Sequence, residues 1–370
     1  MKPARPKLLT SEFNDTVRGF LNGFLRERES TLQGLVNGLN GSAPAWSHPI
    51  METCRNLMAG GKLLRPAFCF WGWRAAGGEP CDEDESSIIK IAAALELLHL
   101  CAIIHDDIMD ESSTRRSCPS AHHQLADLHL ARGWQGSSSS FGKAAAILLG
   151  DICLVWSYEL ILHQGLDAAT RSALLEITNV GNQSLMVGQY LDLQMAARRA
   201  DSSDDALLVA YFKTTSYTVE RPLIVGAKVA DPDSPAVPLL RRFAGHAGEA
   251  FQLRDDILGV FGDPAVTGKP VGDDLTAGKG SLLLTLARSR ATRSQVHELD
   301  HARGKKELSA EHLDSCRSVI VETGALDTVE KRIADQSERA SELLDSSVEV
   351  HADGKEGLRY LLKILIDRAS

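Results

Sequence analysis

The stretch Ile88–Asp110, IIKIAAALELLHLCAIIHDDIMD, decides the fold. Apolar residues recur at Ile88, Ile91, Ala92, Leu95, Leu98 and Ala102, the i, i+3, i+4, i+7 spacing of one helix face. The pattern predicts one long buried helix over about 84–110. It ends on three carboxylates, Asp106, Asp107 and Asp110. Asp106 and Asp110 are four apart, so they share a helix face about one turn from each other, with Asp107 beside them. Such a group repels itself unless cations answer it. Hard divalent ions prefer oxygen ligands, and Mg²⁺ commonly takes one or two carboxylates together with phosphate oxygens. The bland alternative is a solvated acidic helix end. The apolar run Leu100–Ile104 directly before the aspartates weighs against it.

Outward from that helix, the same periodicity runs through about 12–30, 143–164, 169–196, 205–230, 236–261 and 325–345, with no strong alternation of β-branched residues. The expectation is an all-α bundle of roughly a dozen helices. Breaks fall at Gly77-Gly78-Glu79-Pro80 and at Asp231-Pro232-Asp233-Ser234-Pro235. None separates chemically different halves, so residues 1–370 read as a single domain, with 1–10 flexible and 133–142, which holds four consecutive serines, a mobile loop.

Composition narrows the function. The chain has 370 residues, a net charge of −9 and 44% hydrophobic residues. A substantial core is available, and the charge argues against a nucleic-acid binder. The 7 cysteines are odd in number and form no CxxC pair. Neither a disulfide framework nor a zinc site is suggested, and free thiols fit a reducing cytoplasm. There is no signal-peptide pattern and no run of 18 or more apolar residues, so no membrane insertion is expected.

A second acidic pair, Asp255-Asp256 in FQLRDDILG (251–259), ends another apolar segment. Two apolar helices each ending in paired aspartates form a more specific signal than either alone, and suggest two carboxylate walls with metal-bound diphosphate between them. Cations to answer a diphosphate stand in unusual contexts. Lys62 and Arg65 lie in GGKLLRP (60–66), where Pro66 suits a first helical position. Arg115-Arg116 follow the first acidic motif, and Lys213-Thr214 interrupt an apolar helix. Lys269 and Lys279 follow the second acidic motif. Singly, each is an ordinary surface charge; together, around the acidic pairs, they are not.

The set GGKLLRP, HDDIMDESSTRR, GQYLDL, KTTSY, FQLRDDILG and TGKPVGDDLTAGK resembles the trans-isoprenyl diphosphate synthase family, in matching order from Gly60 to Lys279. The resemblance implies an isoprenoid-synthase helical bundle around a deep central cavity, usually a homodimer, needing Mg²⁺. The reaction implied is condensation of isopentenyl diphosphate with an allylic diphosphate. By the same resemblance Asp106, Asp107, Asp110, Asp192, Asp255 and Asp256 make the metal-binding set. Arg115, Lys213 and Lys269 resemble allylic-diphosphate ligands, while Lys62, Arg65, His99 and Arg116 resemble the isopentenyl diphosphate site. Gln189, Asp192, Thr214, Tyr217 and Gln252 match positions lining the reaction centre, and Lys279 closes the basic set. His99 has a competing reading as a satisfied core histidine; its place two turns before Asp106 favours a ligand role.

One departure stands out. The family's second motif commonly reads DDxxD, and here Gly259 holds the last position. Asp263, Asp273 or Asp274 are the residues near enough in sequence to substitute. Product length should be set one turn below Asp106, at Cys101 and Ala102. Both are small, and with Leu98, Leu95 and Met186 as a deeper floor the expected product is geranylgeranyl diphosphate, with farnesyl or a longer polyprenyl diphosphate as the alternatives. A terpene cyclase shares the first motif but needs no isopentenyl site; a regulatory subunit of a heteromeric synthase is kept in play by Gly259.

Overall fold

The computed structural model describes residues 6–40, 47–80, 82–116, 118–163, 165–198, 202–263, 272–278, 280–305 and 308–367. They form seventeen helical segments and one two-stranded ribbon. The chain falls into two compact units: Met1–Ala67 with Pro80–Asp167, and Phe68–Glu79 with Ala168–Ser370.

The first unit contains α1 (Pro6–Asn40), α2 (His48–Ala59), the start of α3 (Leu64–Ala75), α4 (Asp82–Met109), α5 (Ala121–Ala131) and α6 (Ser138–Ile161). Between α4 and α5, β1 (Thr114–Arg115) pairs antiparallel with β2 (Cys118–Pro119). α4 packs against α1, α2, α5 and α6. That enclosure explains its nearly unbroken apolar sequence: Ile88, Ile91, Leu97, Leu100 and Ile104 are all at most 2% exposed. Two helices, α4 and α6, are long and apolar enough to cross a membrane, contrary to the sequence expectation that none would be. The apolar window of α4 is 78% buried within the protein, as a core helix requires; that of α6 is only 44% buried. Leu148, Val155 and Leu162 stand exposed on α6.

Two boundaries differ from the sequence reading. α1 already begins at Pro6, where the ring's fixed φ suits a first helical turn, so residues 6–10 are helical. The segment expected as a loop over 133–142 is helical from Ser138. Ser137 caps α6, its Oγ accepting from the Ser140 backbone N–H at 3.2 Å. The serine run is thus a helix start, the position serine favours, rather than a linker.

In the second unit, α7 (Ala168–Arg198) and α8 (Ser203–Ala210) lead into a π-helical segment, Tyr211–Glu220, which continues as α9 (Arg221–Ala230) and is followed by α10 (Val237–Phe261). Short helices complete the unit: α11 (Asp273–Ala277), α12 (Leu282–Arg290), α13 (Arg293–Ala302), α14 (Ala310–Glu322), α15 (Ala325–Ser346) and α16 (Ala352–Ile366). Leu253 and Ile257 of α10, Leu283 of α12, Leu299 of α13, Ile320 of α14 and Val329 of α15 build one core. Arg254 binds both carboxylate oxygens of Glu330 at 2.7 and 2.8 Å, fixing the rotation of α10 against α15.

α9 lies directly on residues 68–75 of α3. A Cβ on Gly226 would stand 1.8 Å from the Cys69 carbonyl oxygen, and one on Gly72 2.1 Å from that of Leu223. Backbone touches backbone there, so no side chain fits at either position. We expect Gly226→Ala to force the helices apart and cost about 1–3 kcal/mol. Urea unfolding checks this, with a lowered midpoint at unchanged m-value as the expected result.

Candidate active site

In the first unit, the end of α4 folds its acidic cluster under a basic cover. The Asp110 N–H donates to the Asp106 carbonyl and the Ser112 N–H to the Asp107 carbonyl, and Glu111 between them takes a left-handed φ of 52°. This helix-ending turn reverses the chain directly after the aspartates. The ribbon β1–β2 then carries Arg115 back over them. Its Nε donates to Asp107 Oδ1 at 2.8 Å, a second bond runs from Nη2 to the same oxygen, and Nη2 lies 3.5 Å from Asp106 Oδ2. Asp107 is fully buried. Burial pushes its carboxyl above the ordinary value against the pull of Arg115. Burial opposes the Arg115 charge too, but Asp107, Asp106 and Asp110 together hold its guanidinium above the usual range. Arg115, read from sequence as an allylic-diphosphate ligand, thus rests on the aspartates here.

Three further arginines of this unit, Arg116, Arg65 and Arg18, gather around Glu96. Arg116, at a left-handed φ of 53°, donates to the Leu57 carbonyl at 2.8 Å and lies 3.8 Å from Glu96 Oε1. A Cβ on Gly60 would meet Arg116 Cβ at 2.9 Å, and one on Gly61 would meet Arg116 Nη1 at 2.7 Å. The glycine pair of GGKLLRP therefore exists to let Arg116 in. Arg18 of α1 clamps the same loop, donating to the Gly61 carbonyl at 2.8 Å. Burial raises the Glu96 carboxyl while Arg116, Arg65 and Arg18 draw it back down. His99, one turn along α4, is pushed well below its ordinary value by burial and by Arg65, Arg116 and Arg115. A neutral imidazole among guanidinium groups is a hydrogen-bonding group rather than a charge. Lys62 is exposed at the edge of this cluster. Sequence reasoning missed Glu96 and Arg18. Glu96 left a signal, a lone carboxylate inside an apolar helix; Arg18 left none, since α1 carries many charges.

In the second unit, the π-helical segment carries Lys213, Thr214 and Tyr217. Two glycines admit it. A Cβ on Gly188 would lie 2.8 Å from Phe212 Cβ and 3.1 Å from the Lys213 nitrogen, and one on Gly248 2.8 Å from Thr215 Cα. Wider turns at this point fit the habit of π-helical geometry to occur at functional positions. Lys213 Nζ donates to Asp192 Oδ2 at 2.8 Å across to α7. Tyr217 is buried under Arg221, whose guanidinium sits 4.7 Å from the ring centre. Gln189, one turn before Asp192, has its amide nitrogen enclosed with no hydrogen-bond partner among the described residues. On α10, Gln252 donates to Asp256 Oδ1 at 2.7 Å; Asp256 is buried and Asp255 half-buried.

The gap at Gly259 is filled from elsewhere in the chain. A Cβ there would lie 1.9 Å from Asp274 Oδ2 and 2.6 Å from its Cγ. The carboxylate of Asp274, from α11, occupies the volume that a side chain at 259 would take, one turn from Asp255. Of the three residues named from sequence as substitutes, Asp274 stands beside the gap. Lys269 lies outside the described residues, and so does Lys279. Cys101 is buried, its Sγ 3.8 Å from His105 Nδ1 one turn further along α4; Ala102 is half-buried. Leu98 and Leu95 are buried as expected, whereas Met186 is 61% exposed on α7 and lines no interior of its unit.

The donor sets fit a hard divalent cation. Asp107 Oδ2 is enclosed with no hydrogen-bond partner among the described residues. The three aspartates also stand at the C-terminal end of α4, where the helix dipole adds negative potential. Oxygen ligands only, with negative charge in excess, describe a Mg²⁺ or Ca²⁺ site.

The sequence matches the polyprenyl synthetase family over residues 47–320. It is 33% identical to a geranylfarnesyl diphosphate synthase of Aeropyrum pernix over 84% of this chain and 92% of that one. It is 31% identical to an all-trans-nonaprenyl-diphosphate synthase of Rhodobacter capsulatus, over 86% and 89%. The fold matches a geranylgeranyl pyrophosphate synthase from Corynebacterium glutamicum, complexed with isoprenyl diphosphate and magnesium. That match has a TM-score of 0.88 and 34% identity, over 97% of this chain and 99% of that one.

Two outcomes follow from the geometry. Gly259→Asp, which restores the common motif, should collide with Asp274 and cut kcat by about tenfold or more, an on-site steric and like-charge conflict. Adding Asp274→Gly should recover most of the loss; steady-state kinetics of the single and double variants decide it. Separately, His99 binds a proton in the unfolded chain below pH about 6.5 but not in the folded one. The unfolded state then holds more protons, so this residue lowers stability as pH falls below that value, by at most about 1.4 kcal/mol per pH unit. Unfolding curves from pH 7.5 to 5.5 for wild type and His99→Gln should diverge with wild type losing more.

Proposed function

This chain belongs to the polyprenyl synthetase family and is a trans-prenyl diphosphate synthase, and from that premise we propose that its product is geranylgeranyl diphosphate and its metal Mg²⁺. Enzymes of this family depend on a divalent metal and join isopentenyl diphosphate to an allylic diphosphate. The observation that carries the product assignment is the absence of bulk one turn below Asp106. Cys101 and Ala102 occupy that layer, and the next apolar groups along α4 are Leu98 and Leu95. An aromatic in the layer would stop growth early; its absence leaves length for a longer chain. Relatives of this sequence carry names from farnesyl through geranylgeranyl to nonaprenyl, so family membership alone leaves length open.

In this reading the allylic C–O bond breaks with its electron pair leaving on the diphosphate. The double bond of isopentenyl diphosphate attacks the resulting allylic carbon, and a proton is lost to the released pyrophosphate. In the first unit Asp106, Asp107 and Asp110 would hold a divalent metal, and in the second Asp255 and Asp256 would do so, with Asp274 supplying the carboxylate absent at 259. When bound, Mg²⁺ neutralises charge on the leaving diphosphate. Arg115 and Lys213 exchange their carboxylate partners, Asp107 and Asp192, for phosphate oxygens as the substrate arrives, so neither cation needs to be desolvated afresh. Lys62, Arg65 and Arg116 bind isopentenyl diphosphate, with neutral His99 as a hydrogen-bonding partner. Glu96 holds Arg116 and Arg65 in place. Thr214 and Gln252 present hydroxyl and amide oxygens that shelter developing positive charge, and Gln189 and Tyr217 shape the same surroundings. A filled position beside Gly259 weighs against a regulatory subunit that has lost its catalytic acids.

The exposed apolar face of α6, at Leu148, Val155 and Leu162, supports a homodimer. Among the described residues, α4 and α6 alone have the length and hydropathy of a membrane span. The free thiols suit a reducing cytoplasm, where we take the enzyme to work on water-soluble diphosphates. The test is the product profile from isopentenyl diphosphate with dimethylallyl, geranyl or farnesyl diphosphate in Mg²⁺ buffer, read by chromatography after dephosphorylation. Twenty-carbon product is expected from all three primers. Cys101→Phe and Ala102→Phe should shift it toward fifteen carbons, since filling a well-packed layer leaves no room for a further unit. An unchanged profile in both variants would mean that this layer does not set length.

A further inference from the structure

The pair α13–α14 in the second unit brings together residues that no acidic motif includes. Glu298 lies on α13, and His312 and Cys316 lie on α14. One ligand atom from each, a carboxylate oxygen, a ring nitrogen and the thiol sulfur, all fall within 4.8 Å of one another. His312 and Cys316 are four apart, so they stack on one helix face. That face meets α13, where Leu299 and Ala302 pack against Leu313 and Cys316 in the core. His312 Nε2 sits 3.2 Å from the Glu298 carbonyl and 3.5 Å from its Oε1, and Cys316 Sγ is 3.8 Å from the same carbonyl. The start of α13 is firmly set by a capping box of Thr292 and Gln295.

We propose that Glu298, His312 and Cys316 form a zinc site that clamps α13 to α14. Thiolate, imidazole and carboxylate together select a borderline-soft ion such as Zn²⁺ over Mg²⁺, which prefers oxygen alone. Sequence scanning missed the set because it looks for paired cysteines. Here a His-x-x-x-Cys spacing on one helix is completed by a residue fourteen positions upstream. The three groups differ in access: Cys316 is fully buried, His312 is 12% exposed and Glu298 35% exposed, which leaves a way in for an ion. The His301 ring lies 5.2 Å from that of His312, beside the fourth position. Without metal, burial and Glu298 hold the Cys316 thiol at about 11. Binding therefore releases the thiol proton to solvent as the sulfur–metal bond forms.

The acidic motifs also take divalent ions, so the test must see sulfur. Metal-stripped full-length protein, in excess Mg²⁺ to occupy the oxygen sites, is titrated with Co²⁺ and then Zn²⁺. The expected result is a thiolate-to-cobalt charge-transfer band that Zn²⁺ abolishes, one equivalent of Zn²⁺ per chain, and a higher unfolding temperature in Zn²⁺. Cys316→Ser should lose the band. His312→Gln and Glu298→Gln, whose side chains are less enclosed, should weaken Zn²⁺ binding by at least about tenfold. Cobalt binding without the band in wild type overturns the proposal. So does Zn²⁺ affinity unchanged in His312→Gln and Glu298→Gln, which would leave His312 and Glu298 a hydrogen-bonded packing contact only.

Discussion

Everything in the first unit follows from placing carboxylates at the C-terminal end of a buried helix. That is the unfavourable end for negative charge, and Asp107 is cut off from water as well. The chain answers with Arg115, delivered by a tight reversal at Glu111 and a two-residue ribbon. Three carboxylates lie within reach of the Arg115 guanidinium, an oxygen-rich cluster that suits further cations. In the proposed function a metal–diphosphate complex would supply them, its cations going to the carboxylates and its phosphates to the arginines. The helix end is therefore costly alone and favourable with substrate, which is how a binding site differs from a structural salt bridge.

The second unit solves a related problem by different means. Lys213 is carried on a π-helical segment that must approach α7 and α10 closely, and Gly188 and Gly248 give up their side chains to allow it. Its charge is held by Asp192. The pairs Arg115–Asp107 and Lys213–Asp192 thus share one logic. Each cation is held by a carboxylate that the sequence also places in the acidic set, so both partners are oriented in advance of any ligand. Carboxyl–guanidinium order of this kind is pre-organisation, obtained from side chains that carry a net charge between them close to zero.

The exchange of Gly259 and Asp274 shows how little a linear motif says about a site's contents. The carboxylate is present, but its backbone anchor has moved from α10 to α11. What the position requires is an oxygen at a point in space, and two helices can each supply it. Having one do so forbids the other, since both cannot fill the same volume.

The fold class was legible because its cause is local. A 3.6-residue period of apolar side chains dictates buried helices, and α4, α6, α7 and α10 lie where that period placed them. The two acidic clusters were visible as a pattern too, since aspartates that emerge from apolar helices need a reason; the metal role read for Asp106, Asp107, Asp110, Asp255 and Asp256 belongs to the proposed function. The sequence was also enough to identify the reaction, through motifs whose order is specific. It could not say that Ser137 caps a helix, that Glu96 sits among Arg116, Arg65 and Arg18, or that Asp274 stands in for position 259. Nor could it bring Glu298 to His312 and Cys316. Those facts depend on which residues meet after distant segments pack, and the packing is decided by shape and by close approach at Gly60, Gly188, Gly226 and Gly259 rather than by any period along the chain.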